Sequence, residues 1–206
     1  MATSKRPTLL FVGLALSAAL VIAGCGGAGS SSAGSSSSGG ATAARSAGPF
    51  GWLSPSRPPA RWIAARLPSG DASFAYPPGW RRITSDSGTV SAALMGAHGR
   101  IRGYLNATPR QANEKLANWA RFRIAHNRGE GDMGDVRDAA ARGLHFRTGV
   151  GSCVMDHYAT VSAHYREIAC LVRGTRASTV LVGAALPRDW KSLGPALERS
   201  ISSFTT

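Results

Sequence analysis

The topology of the chain is most readily predicted from residues 152–172, "SCVMDHYATVSAHYREIACLV". Two runs rich in apolar, aromatic and β-branched residues, 152–160 and 164–172, flank a short turn, which predicts the two strands of a hairpin. If the turn is centred between Val161 and Ser162, Cys153 faces Cys170. Residues that face each other in an antiparallel ladder have Cα atoms about 4.5–5.5 Å apart, within the range of a disulfide. The stretch therefore predicts a Cys153–Cys170 disulfide.

The same register sets two acidic residues against each other. Asp156 faces Glu167, and facing like charges are unfavourable in a sheet. The favoured interpretation is that both side chains lie on an exposed polar face. The alternative is that the two carboxylates share a proton or hold a cation. His157 and His164 lie diagonally on the face that carries the cysteines. Because the chain has no zinc-type ligand spacing, we expect no metal site.

Further runs extend the predicted sheet on both sides of this hairpin. "TVLVGAAL" (179–186) is continuously apolar, as expected of a strand covered on both faces. "GTVSAALM" and "RIRGYLNA" flank the turn "GAHG" and predict an earlier hairpin, in which Ile101, Gly103 and Leu105 alternate with polar residues. "SFAYPPGW" (73–80) predicts a short strand that ends at its prolines, whereas "ARWIAARL" (60–67) fits either a strand or a helix.

Two helices are predicted around these strands. Thr108 can cap a helix, Pro109 fits the first helical position, and Gln111 completes a capping box. The apolar stripe of this helix consists of Leu116, Trp119, Ala120 and Ile124. Its exterior is basic, with Arg110, Lys115, Arg121, Arg123 and Arg128. Residues 127–142 are predicted to form a loop. A second helix should carry the apolar residues between Trp190 and Phe204 and should kink or restart at Gly194-Pro195.

The beginning of the chain has the pattern of an export signal. Two positive charges precede the uncharged run "TLLFVGLALSAALVIAG", which ends at Cys25. Ile22-Ala23-Gly24-Cys25 resembles the bacterial lipobox, and this resemblance implies a diacylglycerol on the Cys25 thiol and cleavage just before it. An uncleaved anchor is an alternative, although the run is marginal against the roughly 20 residues of a membrane span. A cytosolic protein is the third interpretation.

A low-complexity segment separates Cys25 from the rest of the chain. Residues 26–47 are rich in Gly, Ser and Ala, which cannot bury enough apolar surface to fold, and should form a tether of about 25 Å root-mean-square reach. Residues 48–60 add prolines and predict a stiffer approach, with Trp52 either loose or docked on the domain. The expected organisation is a lipoprotein signal peptide (1–24), a lipidated cysteine with a flexible linker (25–60), and a globular domain (61–206).

Charge and cysteine content restrict the surroundings of the protein. The 206 residues carry a formal net charge of +13, which favours anionic partners such as phospholipid head groups, anionic wall polymers or nucleic acid. A compositional bias that enriches arginine throughout is the simpler explanation, because the arginines are scattered. Arg81 and Arg82 beside Trp80 are a candidate contact cluster. If Cys25 carries lipid, Cys153 and Cys170 remain as a pair that can be oxidised outside the cytoplasm.

No catalytic motif is present in the sequence. The chain lacks a Gly-x-Ser-x-Gly elbow, a phosphate-binding loop and a dinucleotide fingerprint. A disulfide would consume the thiol of Cys153 and remove it as a nucleophile for His157 or His164. We therefore expect no catalytic, cofactor-binding or metal-binding residues and predict that the protein is not an enzyme.

The order of elements resembles a known superfamily. A short strand, Tyr76-Pro77-Pro78-Gly79-Trp80, a hairpin, a helix, three strands and a closing helix from Trp190 to Phe204 resemble the PsbP-like α/β/α sandwich over about residues 70–206. That superfamily includes a photosystem accessory protein and many actinobacterial lipoproteins. The resemblance implies an α+β fold with a mainly antiparallel sheet, and a binding or assembly role without a shared catalytic set. The Cys153–Cys170 pair is not part of its general pattern.

These observations lead to a functional expectation. The chain should be a membrane-anchored, extracytoplasmic lipoprotein that acts as a binding or accessory module of the cell envelope. Its partners would be the membrane, through lipid on Cys25, and an envelope protein, an apolar ligand or an anionic polymer; nucleic acid is the least favoured partner. The alternatives are an envelope hydrolase with dispersed catalytic residues and a surface binder of anionic polymer or nucleic acid.

Overall fold

The computed structural model describes residues 48–111 and 113–206. The predicted signal peptide, Cys25 and the part of the predicted linker before residue 48 lie outside the described residues. The helices are α1 (Trp119–Gly129) and α2 (Trp190–Ser203). The strands are β1 (Ile63–Arg66), β2 (Ser73–Tyr76), β3 (Arg81–Ile83), β4 (Val90–Met95), β5 (Ile101–Pro109), β6 (Met133–His145), β7 (Val150–Ala159), β8 (His164–Arg173) and β9 (Ser178–Ala185).

Seven strands form one antiparallel sheet in the order β3-β4-β5-β9-β8-β7-β6, and β1 pairs with β2 in a separate two-stranded sheet. The hairpin of β7 and β8 has the predicted register along its whole length, without a bulge, and Cys153 faces Cys170. The two cysteines are joined in a disulfide and are buried. By the chain-entropy estimate, closing a loop of this size contributes roughly 3 kcal/mol to stability.

The two helices cover opposite faces of the large sheet. Cys153 belongs to an apolar cluster that includes Leu197 and Ile201 of α2, whereas its neighbour Val154 belongs to a second cluster with Trp119 of α1. Successive residues of a strand point to opposite faces, so the sheet lies between α1 and α2. The fold is therefore α+β, with a large antiparallel sheet and two helices, as the sequence predicted.

The packed structure begins before the predicted domain boundary at residue 61. Phe50 is only 6% exposed and lies in the apolar cluster on the α2 side, and Trp52 packs against the same cluster. The backbone N–H of Ser56 donates to the carbonyl of Ser202 at 3.1 Å. Residues 48–60, which the sequence analysis assigned to the linker, thus cover the core, and Trp52 is docked rather than loose.

The predicted capping box at Thr108 is wrong, because β5 extends through Pro109 and α1 begins only at Trp119. Thr108 faces Val180 and Pro109 faces Thr179 in the ladder with β9, whereas pairing with β4 stops at Ala107. Proline lacks an N–H and is tolerated where a strand ends. Pairing with β9 therefore outcompetes the local helix signal.

Two other predictions differ from the structure. The segment 127–142 was predicted to be a loop. Instead, Met133–His145 form the long edge strand β6. Three irregularities in its pairing with β7 interrupt the alternation by which a strand is recognised. Helix α2 continues through Gly194-Pro195 without a break, because Leu193, Leu197 and Ile201 on its inner side are all buried in the core. Within the described residues, neither helix is long and apolar enough to cross a membrane.

Candidate functional site

The face of the sheet beneath α1 combines an apolar floor with a group of charged and phenolic side chains. The floor consists of Val154, Ala169, Leu171, Val180 and Val182, packed against Trp119. The indole N–H of Trp119 donates to the carbonyl of Ala169 at 2.9 Å, which fixes the position of α1 on the sheet. One helical turn after Trp119, the side chain of Arg123 reaches the polar end of this face.

Arg123 and Glu167 form a buried ion pair. The Arg123 guanidinium donates from Nε to Oε1 of Glu167 at 2.7 Å and from Nη2 to Oε2 at 2.8 Å. The Arg123 side chain is 15% exposed and that of Glu167 is fully buried. Burial by itself lowers the pKa of Arg123, but the charge and hydrogen bonds of Glu167 outweigh it and hold the pKa above its ordinary value. Two parallel hydrogen bonds also fix the orientation of both groups.

Two tyrosines extend the hydrogen-bond network from Glu167. The Tyr158 hydroxyl donates to Oε2 of Glu167 at 3.2 Å, and the hydroxyls of Tyr104 and Tyr158 lie 2.9 Å apart. Because the Tyr158 proton is directed to Glu167, Tyr104 is the donor between the two phenols. Burial, followed by the charge of Glu167, raises the pKa of Tyr158, so its proton remains on the oxygen at neutral pH.

Asp156 faces Glu167 in the ladder and is completely buried. Neither oxygen of its carboxyl has a hydrogen-bond partner. Burial, and then the charge of Glu167, raises the pKa of Asp156 to about 8, so the group is protonated at neutral pH. The interpretation of Asp156 and Glu167 as an exposed polar face is therefore wrong, because α1 covers both residues.

Tyr104, Arg123, Asp156, Tyr158 and Glu167 are called the buried polar cluster below. It borders a cavity of about 270 Å³ between α1, the segment before it, and strands β4, β5 and β9. The lining includes Ser91, Tyr104, Asn106, Thr108, Glu114, Arg123, His126 and Val182. The cavity thus offers hydroxyl, amide and carboxylate groups beside an apolar floor.

The polar groups of the cavity are held in place by one another. The side-chain Nδ2 of Asn106 donates to the Ser91 hydroxyl at 2.8 Å, and the Thr108 hydroxyl donates to the side-chain Oδ1 of Asn106 at 2.8 Å. The Glu114 carboxylate accepts the backbone N–H of Gln111 at 2.7 Å, and burial raises the pKa of Glu114. The charge of Arg123 is balanced by Glu167. Since the carboxylates of Asp86 and Glu114 also line the cavity, the site suits a small, hydrogen-bonding ligand that is not an anion.

The remaining residues singled out from the sequence lie away from this cavity. His157 and Asp138 contact each other at 3.0 Å near the free edge of the sheet, and His164 lies beside them in the lining of a separate open groove. Among the described residues, no group of three or more histidine, cysteine or acidic side chains could hold a metal ion. Arg81 and Arg82 are exposed on the opposite edge strand β3. Cys25 lies outside the described residues.

Sequence reasoning missed the ion pair of Arg123, which it placed on the basic exterior of the helix. The spacing of these residues along α1 and β8 nevertheless indicates the ion pair. Arg123 follows Trp119 by four residues and so shares its face of the helix, and Glu167 lies two residues before Ala169 on the same face of β8. The two charges therefore belong to the surfaces of α1 and β8 that face each other.

No family model matches the chain, and no curated protein matches it. Among solved structures, cyanobacterial PsbP (CyanoP) from Synechocystis sp. PCC 6803 superimposes with a TM-score of 0.50 at 14% identity, covering 72% of this chain and 94% of that chain. LpqN of Mycobacterium tuberculosis, described as involved in cell envelope biogenesis, has a TM-score of 0.40 at 14% identity and covers 70% of this chain and 90% of that chain.

A protein of unknown function from Pseudomonas aeruginosa, PA94, has a TM-score of 0.41 at 9% identity, with coverage of 69% of this chain and 95% of that chain. This superposition and that of LpqN are too loose to carry a conclusion. The similarity to CyanoP, together with the antiparallel sheet between two helices, shows that the chain has a PsbP-like fold.

Proposed function

We propose that the protein is a membrane-anchored, extracytoplasmic lipoprotein whose domain acts by binding, as an accessory module of the cell envelope, rather than by catalysis. The observation that carries this proposal is the buried Cys153–Cys170 disulfide. Disulfides persist in oxidising compartments outside the cytoplasm. Of the three cysteines in the chain, only Cys25 is left over, and it stands at the end of the lipobox-like leader.

The mechanism is capture by a confined domain. Lipid on Cys25 would hold the domain near the membrane, and residues 26–47 would let it search within about 25 Å. Confinement raises the effective concentration of domain and partner without a new contact between them. The PsbP-like fold supports this role at the level of architecture alone.

The cavity beside the buried polar cluster is the proposed ligand site. Its polar groups are pre-oriented by the Ser91–Asn106–Thr108 hydrogen bonds, so little ordering of side chains opposes binding. Since Arg123 is neutralised by Glu167 and Glu114 lies in the lining, the site favours a neutral or zwitterionic ligand over an anion. Its polar lining also disfavours the purely apolar ligand considered from the sequence.

Acylation of Cys25 is the first test of this proposal. The full chain, expressed in a bacterium that processes lipoproteins and supplied with labelled palmitate, should carry the label and sediment with membranes. Cys25→Ala should lose the label, whereas the double variant Cys153→Ala/Cys170→Ala should keep it. Label that persists in Cys25→Ala would contradict the anchor.

Ligand binding at the cavity is tested separately by NMR on residues 43–206, which form one compact unit. Titration with monosaccharides, polyols and zwitterionic amino acids should shift the amide signals of Tyr104, Asn106 and Thr108 for at least one class. Asn106→Ala should weaken that binding about tenfold, because it removes a hydrogen bond. Ser162→Ala, in the exposed β7–β8 turn, should bind normally. If no probe shifts these signals, the cavity is not the site, and the anchor is unaffected.

A further inference from the structure

Four exposed arginines line the surface where α1 meets the free edge strand β6. Arg121 and Arg128 come from α1, and Arg137 and Arg142 come from β6. Arg128 donates to the backbone carbonyl of Asp135 at 2.9 Å, and Arg142 donates to that of Ala117 at 3.0 Å. Among the described residues, none of the four forms an ion pair. Their charges are therefore available to an anionic partner.

Two neighbouring cavities give this surface its shape. One, of about 550 Å³, lies between α1 and β6 and is lined by Arg121, Arg128, Arg137 and the apolar residues Ile124 and Val136, with buried Asp135 also in its lining. The other, of about 390 Å³, lies further along the same seam. Arg121 and Arg137 line both cavities. The α1–β6 surface is defined here as Arg121, Ile124, Arg128, Arg137 and Arg142.

We infer that the α1–β6 surface docks on the anionic phospholipid surface of a membrane. Its arginines would contact lipid phosphates, and Ile124 would contact the acyl boundary between them. Ile124 is partly exposed and lines the cavity between these arginines, and an apolar side chain among arginines suits an interface that is charged at the head groups and apolar below. A wall polymer offers the same anions but no apolar layer, so the lipid surface fits better.

This inference rests on the proposed function, in which the domain works near a membrane. It does not require the lipid on Cys25. Each basic residue close to an anionic membrane surface contributes about a fivefold increase in partitioning, and salt weakens that contribution. Docking would place α1, and the cavity beneath it, at a fixed distance from the membrane.

Hydrogen exchange measured by mass spectrometry tests the docking. The full chain and its Cys25→Ala variant are incubated with vesicles of phosphatidylcholine alone, or of an equal mixture with phosphatidylglycerol. Strand β6 is an edge with one unpaired side, and β3 forms the opposite edge. Exchange in peptides from β6 should slow several-fold with the anionic vesicles in both proteins, and exchange in peptides from β3 should not change.

Charge reversal tests whether the arginines of the α1–β6 surface bind the anionic lipid. Arg121→Glu/Arg137→Glu should abolish the protection and reduce partitioning onto anionic vesicles by at least roughly 30-fold. Arg81→Glu/Arg82→Glu makes the same change in net charge on the opposite edge and should leave both readouts unchanged. Because all four positions are exposed, circular dichroism should show intact folds.

Three outcomes would overturn the inference. They are no lipid-dependent change in β6, protection of β3 instead of β6, and protection by soluble polyphosphate but not by anionic vesicles. The last result would assign the surface to an anionic polymer. Absence of palmitate label from the wild-type chain, with β6 protection retained, would contradict the anchor and support the docking, so the two failures are distinguishable.

Discussion

Arg123→Met is expected to lower the free energy of unfolding by about 3–5 kcal/mol, because it leaves the Glu167 carboxylate buried without its cation. Glu167 would retain the Tyr158 hydroxyl as a donor, with Asp156 facing it in the ladder. Arginine and methionine have similar helix propensities, so the loss reports on the ion pair rather than on α1. Chemical denaturation under oxidising conditions measures it.

Two further variants separate this effect from simple truncation. Arg121→Met, at an exposed position of the same helix, should change stability by no more than about 0.5 kcal/mol. The double variant Arg123→Met/Glu167→Leu should recover most of the loss, since a buried pair replaced by apolar residues is often tolerated. The double-mutant cycle gives the coupling energy. Additive losses would show that Arg123 and Glu167 are not a coupled pair.

Asp156→Asn is expected to stabilise the protein at alkaline pH, on the order of 4 kcal/mol. The pKa of Asp156 is raised to about 8 in the folded state, against about 4 in the unfolded chain. Between these values the folded state binds one proton more than the unfolded state, so wild-type stability falls as pH rises from about 4 to about 8. Asparagine does not ionise, and this part of the pH dependence should vanish.

The measurement is urea unfolding of both proteins from pH 4.5 to pH 9. The stability difference should be small at the acid end, grow with pH and level off above pH 8. Asp86→Asn, which removes an exposed acid, provides the comparison and should show no such growth. A difference between Asp156→Asn and wild type that is constant across the range would mean that Asp156 ionises at its ordinary pKa.

The β7–β8 hairpin was predictable because its register depends on local alternation and a short turn. Both runs place apolar residues on the buried faces, and a slip of one residue would move every side chain to the other face. The same pattern explains why Cys153 and Cys170 were paired correctly. The alternation could not show that the Asp156 side of the ladder is covered, because the covering helix comes from residues 119–129, far away in sequence.

The beginning of α1 and the existence of β6 could not be predicted either, and the reason is different. Thr108 and Pro109 carry a strong local helix signal, but their pairing with β9 depends on residues 179–180, some seventy positions later. Strand β6 contains Gly134 and Gly143, both with positive φ, and its irregular pairing hides the two-residue period. In both places the tertiary context overrides the local sequence preference.

The burial of the Cys153–Cys170 disulfide has a consequence for its chemistry. Thiol–disulfide exchange requires a thiolate to reach one of the sulfur atoms, and these residues are at most 1% exposed beneath α2. A reductant in solution would therefore reach the sulfur atoms only after α2 has separated from the sheet. The rate at which free thiols appear under mild reduction would then measure how fast the native domain opens spontaneously.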